Sequence, residues 1–394
     1  MNKLFRSHKN NITPELNPVE DTTKKNVVIV GVLITSRKKG RHPLPVGKDS
    51  LIKREMISSA NAMGIFMYFF YPNGFNLRKH SVSGHTYIST KKNRGHWVRG
   101  VFPLPNIVYN RISYRKNEAQ TNVQKLLAEI ENNPSIHIFN SRFLDKWEVH
   151  NVLSQNSCTT NLVPETVIFN RQNLYMMLDK YQELFIKPIS NSIGKGIIKV
   201  QQKKPKQPIL FKIAASNRGW NKCNSIKKLY MDLKAEVMGR KCLIQQGIDL
   251  ATTGKRVFDL RTEVQKNDQG KWVFTGVGVR VAAPGKYVTH VPNGGSRAEY
   301  TKVIKKVFGT TTSINEKLEQ QLANITSTVP RVLEKNLGIN LGILSIDIGI
   351  DKNGLMQVIE VNSKPSSFDE SDIRNKHLEN LNKYFIYLNS LIND

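Results

Sequence analysis

Carboxylates are the scarce charge in this 394-residue chain: 31 Asp and Glu stand against 59 Lys and Arg, a formal net charge of +28. That balance favours polyanionic partners such as nucleic acid, acidic polymers or nucleotide phosphates. Cysteine is nearly missing. Cys158, Cys223 and Cys242 are odd in number and widely spaced, so neither a disulfide framework nor a paired metal site is encoded. Reduced thiols and an intracellular, cytoplasmic setting are expected. Long apolar runs are absent as well. The run at 62–71 (AMGIFMYFFY) is too short to span a bilayer, and residues 1–26 lack the apolar centre of a secretory signal. No Ser-His-Asp order, CxxC pair, HExxH helix, zinc-finger, RRM or KH signature occurs, which leaves covalent nucleophilic catalysis, zinc chemistry and a dedicated nucleic-acid module unsupported.

What is present describes a globular protein with 39% hydrophobic residues and room for two or three packed subdomains. After a mobile basic tail over 1–25, residues 26–35 (NVVIVGVLIT) read as a buried strand. A helix over 50–63, a strand over 64–71, a strand within 97–112, a helix over 120–131 and a strand over 136–139 complete an α/β domain over 26–140. A second block over 141–240 opens on a helix at 141–153 with Ser141 as its N-cap. It continues with strands at 183–187 and 196–201 and a helix at 225–238 closed by Gly239. The third block, 241–394, holds strands at 241–246, 257–264 and 272–281. A long helix at 315–335, an apolar hairpin and a closing helix at 375–391 follow. No internal repeat is visible, and the only biased loop is 203–208 (KKPKQP). The basic pairs, from Arg37-Lys38-Lys39 to Lys305-Lys306, fall in different segments, so solvated faces account for them as well as a polyanion groove does.

The hairpin at 345–365 (SIDIGIDKNGLMQVIEVNSKP) is the most informative stretch. Asn353-Gly354 reads as a two-residue loop with both residues at positive φ. Lys352 then faces Leu355, and Asp347 falls opposite Glu360, with Asn362 on the same face. Opposed carboxylates in an apolar sheet are unfavourable unless neutralised. A divalent cation with oxygen ligands resolves this, Mg²⁺ with a nucleotide phosphate fitting best. An exposed edge hairpin with solvated acids is the alternative.

Three further constellations matter. Residues 185–197 (FIKPISNSIGKGI) set Lys187 on a strand before a Gly- and Ser-containing loop whose N–H groups suit a phosphate, although an ordinary Gly hairpin reads the same way and the Walker A spacing is absent. Residues 243–250 (LIQQGIDL) leave a strand so that backbone groups can meet an adenine edge, with Asp249 available to a ribose; a plain strand exit is equally encoded. Asp259 and Arg261 share a strand face and suit an ion pair, while Arg261 or Arg280 suits a transferring phosphoryl group.

In this order, these pieces resemble the ATP-grasp superfamily, in particular the YheC/YheD group of endospore coat-associated proteins. The resemblance covers nearly everything from Asn26 onward and rests on VGVLIT, PLPNIVYNRI at 103–112, FIKPISNSIGKGI, the DLR triplet and DIGIDKNGLMQVIEVNSKP. It implies an N-terminal pre-ATP-grasp α/β domain followed by a two-subdomain α+β ATP-grasp fold. Lys146 and Lys187 would contact phosphates, under a loop carrying Ser190, Ser192, Gly194 and Gly196. Gln245, Gln246, Gly247 and Ile248 would form the adenine hinge, with Asp249 near the ribose. Asp347, Glu360 and Asn362 would hold Mg²⁺. Arg261 and Arg280 would face the phosphoryl and acyl-phosphate groups. Such sequences often carry asparagine near position 290; here His290 stands there, with Asn293 as the substitute. The implied activity is an ATP- and Mg²⁺-dependent carboxylate–amine ligase acting through an acyl phosphate on a peptide-like or acidic substrate, with a role in sporulation and association with the spore coat. The rival reading is a nucleotide-binding coat protein without turnover, and a nucleic-acid binder ranks last.

Overall fold

The computed structural model describes residues 27–35, 47–90, 94–190, 196–204, 207–214, 219–289, 291 and 294–393. Among these, three β-sheets set the architecture.

The first sheet contains β1 (Ile29–Leu33), β2 (Phe66–Asn76), β3 (Ser81–Thr90), β4 (Arg94–Pro103), β5 (Ile107–Asn110) and β6 (His137–Phe139), in the order β4-β3-β2-β1-β5-β6. β2, β1, β5 and β6 run parallel, which requires crossovers. These are α1 (Gly47–Ala62) and the pair α2 (Arg115–Glu118) and α3 (Thr121–Glu131). Both faces are covered, so the strands read as unbroken apolar runs. Leu126, Leu127 and Ile130 of α3 pack on Tyr68, Phe70 and Val108, and α1 covers Val30, Val32 and Phe69 on the other side. The antiparallel strand β3 (SVSGHTYIST) is absent from the sequence reading, because its small and polar residues mask the alternation of an edge hairpin.

The second sheet is antiparallel throughout. After α4 (Lys146–Gln155) come β7 (Thr166–Ile168), α5 (Arg171–Lys180), β8 (Glu183–Pro188), β9 (Ile198–Gln201), β10 (Ile209–Ile213), β11 (Asn221–Cys223), α6 (Ile226–Val237) and β12 (Cys242–Gln246). The strand order is β11-β10-β9-β8-β12-β7. Helices α5 and α6 bury Leu174, Met177, Leu229 and Leu233 against Leu184, Ile186 and Ile244. The strand period of two then turns Lys187 and Gln245 to the uncovered face.

α4 begins later than its sequence suggests. Asp145, not Ser141, caps it, accepting from the N–H groups of Trp147 and Glu148. Residues 141–145 stay outside the helix because their polar groups are tied elsewhere: Ser141 O accepts from Asn110 Nδ2 at 2.7 Å, and Phe143 N–H donates to Glu118 at 2.7 Å.

The third sheet comprises β13 (Thr252–Thr253), β14 (Arg256–Lys266), β15 (Trp272–Val281), β16 (Ser296–Ala298), β17 (Ile343–Ile350) and β18 (Met356–Asn362), ordered β16-β15-β14-β17-β18 with β13 beside β14. Helices α7 (Tyr300–Phe308) and α8 (Thr312–Leu337) cover its back face. The closing helix α9 (Ser371–Asn393) returns to the first sheet, where Leu381, Tyr384, Phe385 and Leu388 complete the core around Phe139 and Tyr109. Asn140, fully buried at φ 51°, joins the first and third sheets. Its side-chain oxygen accepts from Gly342 N at 2.8 Å and Ile343 N at 3.1 Å. Its amide donates to Ile343 O at 2.7 Å and to Ser363 O.

Candidate active site

The floor of the site is the front face of the third sheet. Strand registry places Arg280, Asp259 and Gly349 in one row. Gly278, Arg261, Asp347 and Glu360 form the next, and Gly276, Glu263, Ser345 and Asn362 the one after. Asp347 therefore stands opposite Glu360, but the route to that pairing differs from the expectation. The turn is not a two-residue loop. Ile350 pairs with Met356, Gly354 N donates to Asp351 O at 3.0 Å, and Asp351 N donates to Leu355 O at 2.9 Å. A three-residue loop of Lys352, Asn353 and Gly354 results, with positive φ at Gly354 (81°) and not at Asn353. The Asp351 carboxylate fixes it by accepting from Asn353 N and Leu355 N, both at 2.8 Å. The longer loop shifts the register by one residue, and a bulge at Ile359, between the Asp347 and Ile348 pairs, shifts it back. Without the bulge, Glu360 would point to the opposite face.

Around the acids the charges interlock. Arg261 Nη1 lies 3.6 Å from Asp347 Oδ1, and Arg261 Nη2 is 3.4 Å from Ser345 Oγ. The expected Asp259–Arg261 pair is replaced by this arrangement. Asp259 instead accepts from the Thr289 hydroxyl. Arg280 is engaged by Glu370 through two contacts, at 2.7 and 3.3 Å. It lies over Gly278, where an added Cβ would meet Arg280 Nη1 at 2.6 Å. Phe368 lies beneath both guanidinium groups, 6.0 Å from Arg261 and 5.7 Å from Arg280.

The opposing wall comes from β8, β12 and α4. Lys187 donates to Gln245 Oε1, and Lys146 Nζ reaches Glu360 Oε1 at 3.6 Å. Between wall and floor lies a narrow cleft of about 40 Å³, partly open to solvent. Lys146, Lys187, Gln245 and Glu360 supply its polar lining and Val149, Leu243, Val358 and Ile359 its apolar lining. Apolar walls with a few polar groups among them are the usual make-up of a small-molecule site. His150 and Thr166, which the sequence reading missed, also line it. His150 follows Lys146 by four residues on α4, so helical spacing from that lysine points to it.

Burial shapes the acid–base behaviour. Desolvation pulls the Lys187 ammonium down to about 8, against the opposing pull of Glu360. Desolvation, reinforced by Asp347, pushes Asp259 up to about 7. Asp347 is likewise raised, first by desolvation and then by Glu360, with Arg261 acting against both. Among the described residues no trio of His, Cys, Asp or Glu is arranged to hold an ion alone. Two carboxylates and the Asn362 amide fit Mg²⁺, which commonly takes one or two protein carboxylates and completes its shell with phosphate oxygens and water.

The remaining expected residues divide. Ser190 is exposed and Gly196 turns at φ 79° at the two ends of the loop. Ser192, Gly194, His290 and Asn293 lie outside the described residues. Of the expected hinge, Gln245 lines the cleft. Gln246 turns to Glu165 N, its Oε1 accepting at 3.2 Å, and Gly247 N donates to Glu183 O at 2.8 Å. Ile248 lies over Gly349, and Asp249 sits on the surface in a 2.8 Å pair with Lys352. Arg115 is a further basic residue near the acids: Asp145, Glu360 and Glu118 all act on it.

The three sheets and the cleft between the second and third define an ATP-grasp fold. The D-Ala:D-Ser ligase VanG from Enterococcus faecalis superposes with a TM-score of 0.50 at 12% identity, covering 92% of this chain and 100% of that one. Within that class the chain belongs to the YheC/D-like ATP-grasp family, whose model matches residues 135–388. It is 25% identical over 340 residues to the endospore coat-associated protein YheD of Bacillus subtilis (strain 168), covering 86% of this chain and 73% of that protein. It is 22% identical over 270 residues to YheC of the same organism, covering 68% and 73%.

Proposed function

We propose that this protein is an ATP- and Mg²⁺-dependent ligase that joins a carboxylate to an amine through an acyl phosphate, acting on a peptide-like or acidic substrate in the formation of the endospore coat. The observation that carries the reading is the opposition of Asp347 and Glu360 beneath Lys146 and Lys187. A scaffold does not need half-buried facing carboxylates, which cost stability unless a cation joins them. In this reading Asp347, Glu360 and Asn362 hold the ion, which when bound neutralises phosphate charge. Lys187 and Lys146 hold the phosphates, and the apolar slot takes the base. Arg261 stabilises charge on the phosphoryl group as the substrate carboxylate oxygen bonds to phosphorus and ADP leaves. The amine then attacks the acyl carbon and phosphate departs.

The test is ADP release from Mg·ATP by the full chain with a panel of amino acids and short peptides as paired carboxylate and amine donors. Turnover that requires both donors and disappears in Glu360→Ala is expected. Tight Mg·ATP binding without turnover across the panel would instead favour a nucleotide-binding coat protein, the reading suggested by the names of the Bacillus relatives.

A further inference from the structure

The motif at 103–112 (PLPNIVYNRI) has no part in the nucleotide cleft, yet its arginine, Arg111, stands at a chemically distinctive place. Arg111 follows β5 directly, at the carboxyl end of parallel strands, and its N–H extends the pairing to Leu33 O at 2.9 Å. Open α/β sheets bind ligands at this end. The Arg111 guanidinium is half-buried and its hydrogen-bond partners are neutral: Ser367 Oγ at 3.0 Å, Met56 Sδ at 3.4 Å and the Tyr109 hydroxyl. Among the described residues no carboxylate lies within ion-pair distance of it. Its neighbours differ. Arg280 has Glu370, Arg261 has Asp347, Arg374 has Glu55, and Arg115 lies near Glu118 and Glu360. Lys53, whose affinity for a proton is lowered by burial first and by Arg111 least, lies nearby, but its charge is already met by Asp49 at 2.8 Å. Desolvating a guanidinium without a counter-ion is costly, so the position suits an anion that arrives from outside.

The link to the reaction centre runs through the segment after β18. Ser367 precedes Phe368, the ring under Arg261 and Arg280. An anion held by Arg111 therefore sits one residue along the chain from the phosphoryl end of the cleft. We infer that Arg111, with Ser367, is the anchor for a carboxylate of the ligase's co-substrate, holding it at the boundary between the first and third sheets. The planar fork of the guanidinium matches a carboxylate in two parallel hydrogen bonds, which a lysine does not reproduce. This inference rests on the ligase reading, but its binding step is measurable apart from turnover.

The test uses the full chain and three probes: L-alanyl-L-alanine, its C-terminal amide, and inorganic phosphate, each titrated calorimetrically in the presence of a non-hydrolysable Mg·ATP analogue. The acid is expected to bind at least about ten-fold more tightly than the amide, the scale of a charge-assisted hydrogen bond. Arg111→Ala should abolish that preference, and Arg111→Lys should restore part of it. Binding of the Mg·ATP analogue should be unchanged in both variants. Equal binding of acid and amide, no binding of the acid at millimolar concentration, or a preference that survives Arg111→Ala would overturn the assignment. So would phosphate competing as well as the acid, since that marks a general anion site. Loss of analogue binding in the wild-type chain would instead count against the nucleotide reading, and the acid–amide comparison repeated without the analogue would still decide the role of Arg111.

Discussion

The two faces of the third sheet are built from the same strands by alternate residues, and they obey opposite rules. On the back, Leu260, Val279, Ile346 and Ile348 are fully buried against α8 and its neighbours. On the front, their immediate neighbours Asp259, Arg261, Asp347 and Arg280 form a charged floor. The side chains of Asp347 and Glu360 remain 23% and 25% accessible. One face is consistent with folding at every level, whereas the other sets like charges side by side. The difference teaches that the back face provides stability that the front face uses, so adjacent residues should respond to substitution in opposite ways.

That contrast can be broken directly at one pair of neighbours. Ile348→Ala should cost about 2–5 kcal/mol of stability, read by urea unfolding, while sparing the front-face chemistry in the protein that remains folded. Asp347→Asn should leave stability unchanged or raised, since it removes a desolvated charge, yet cut ligase turnover by roughly 10²-fold or more. Equal stability losses at the two positions would dissolve the distinction.

Lys187 extends the comparison to the opposite wall. Its affinity for a proton is depressed in the folded state, to about 8 from 10.5. Below that pH, folded and unfolded chains are both protonated and the folded state bears the full cost of the buried ammonium. As pH rises from about 8 towards 10.5 the folded state releases its proton first, so stability should rise. Mg·ATP affinity should fall over the same window, because the phosphate partner is the protonated form. Lys187→Met should weaken nucleotide binding on both sides of pH 8 and flatten both profiles, as followed by titration and denaturant melts.

The smallest expected effect tests the hairpin tip. Asp351→Ala removes two hydrogen bonds that fix the three-residue loop and should cost about 1 kcal/mol. Turnover should be unchanged if the bulge at Ile359 alone sets the facing of Asp347 and Glu360, and it should fall if the tip also governs register.

Much of this was legible from residues alone because long apolar periods and special turn residues survive any context. The strands of the third sheet, the long helix α8 and the facing of Asp347 with Glu360 are of this kind. That pairing, however, emerged from two features that cancel. A three-residue loop displaces the strands by one place and a bulge restores them, and neither follows from local pattern because Asn353-Gly354 suits either loop. The helix start at Asp145 was hidden for a similar reason. Ser141 is a good cap by type, but its carbonyl is taken by Asn110, a partner far away in sequence. Arg111 and the Asp259–Thr289 contact were beyond sequence reasoning because their meaning lies in who is missing or present across space. The strand β3 was lost because its small polar residues satisfy a hairpin without announcing one.

The return of α9 to the first sheet has a consequence for how the chain is made. The first domain leaves the ribosome early, but Phe139 and Tyr109 lack their cover until Tyr384 and Phe385 have been synthesised. Until α9 is synthesised, an aromatic surface meant for it stays open to solvent or to chaperones. Synthesis of α9, not completion of the first domain, is the event that closes it.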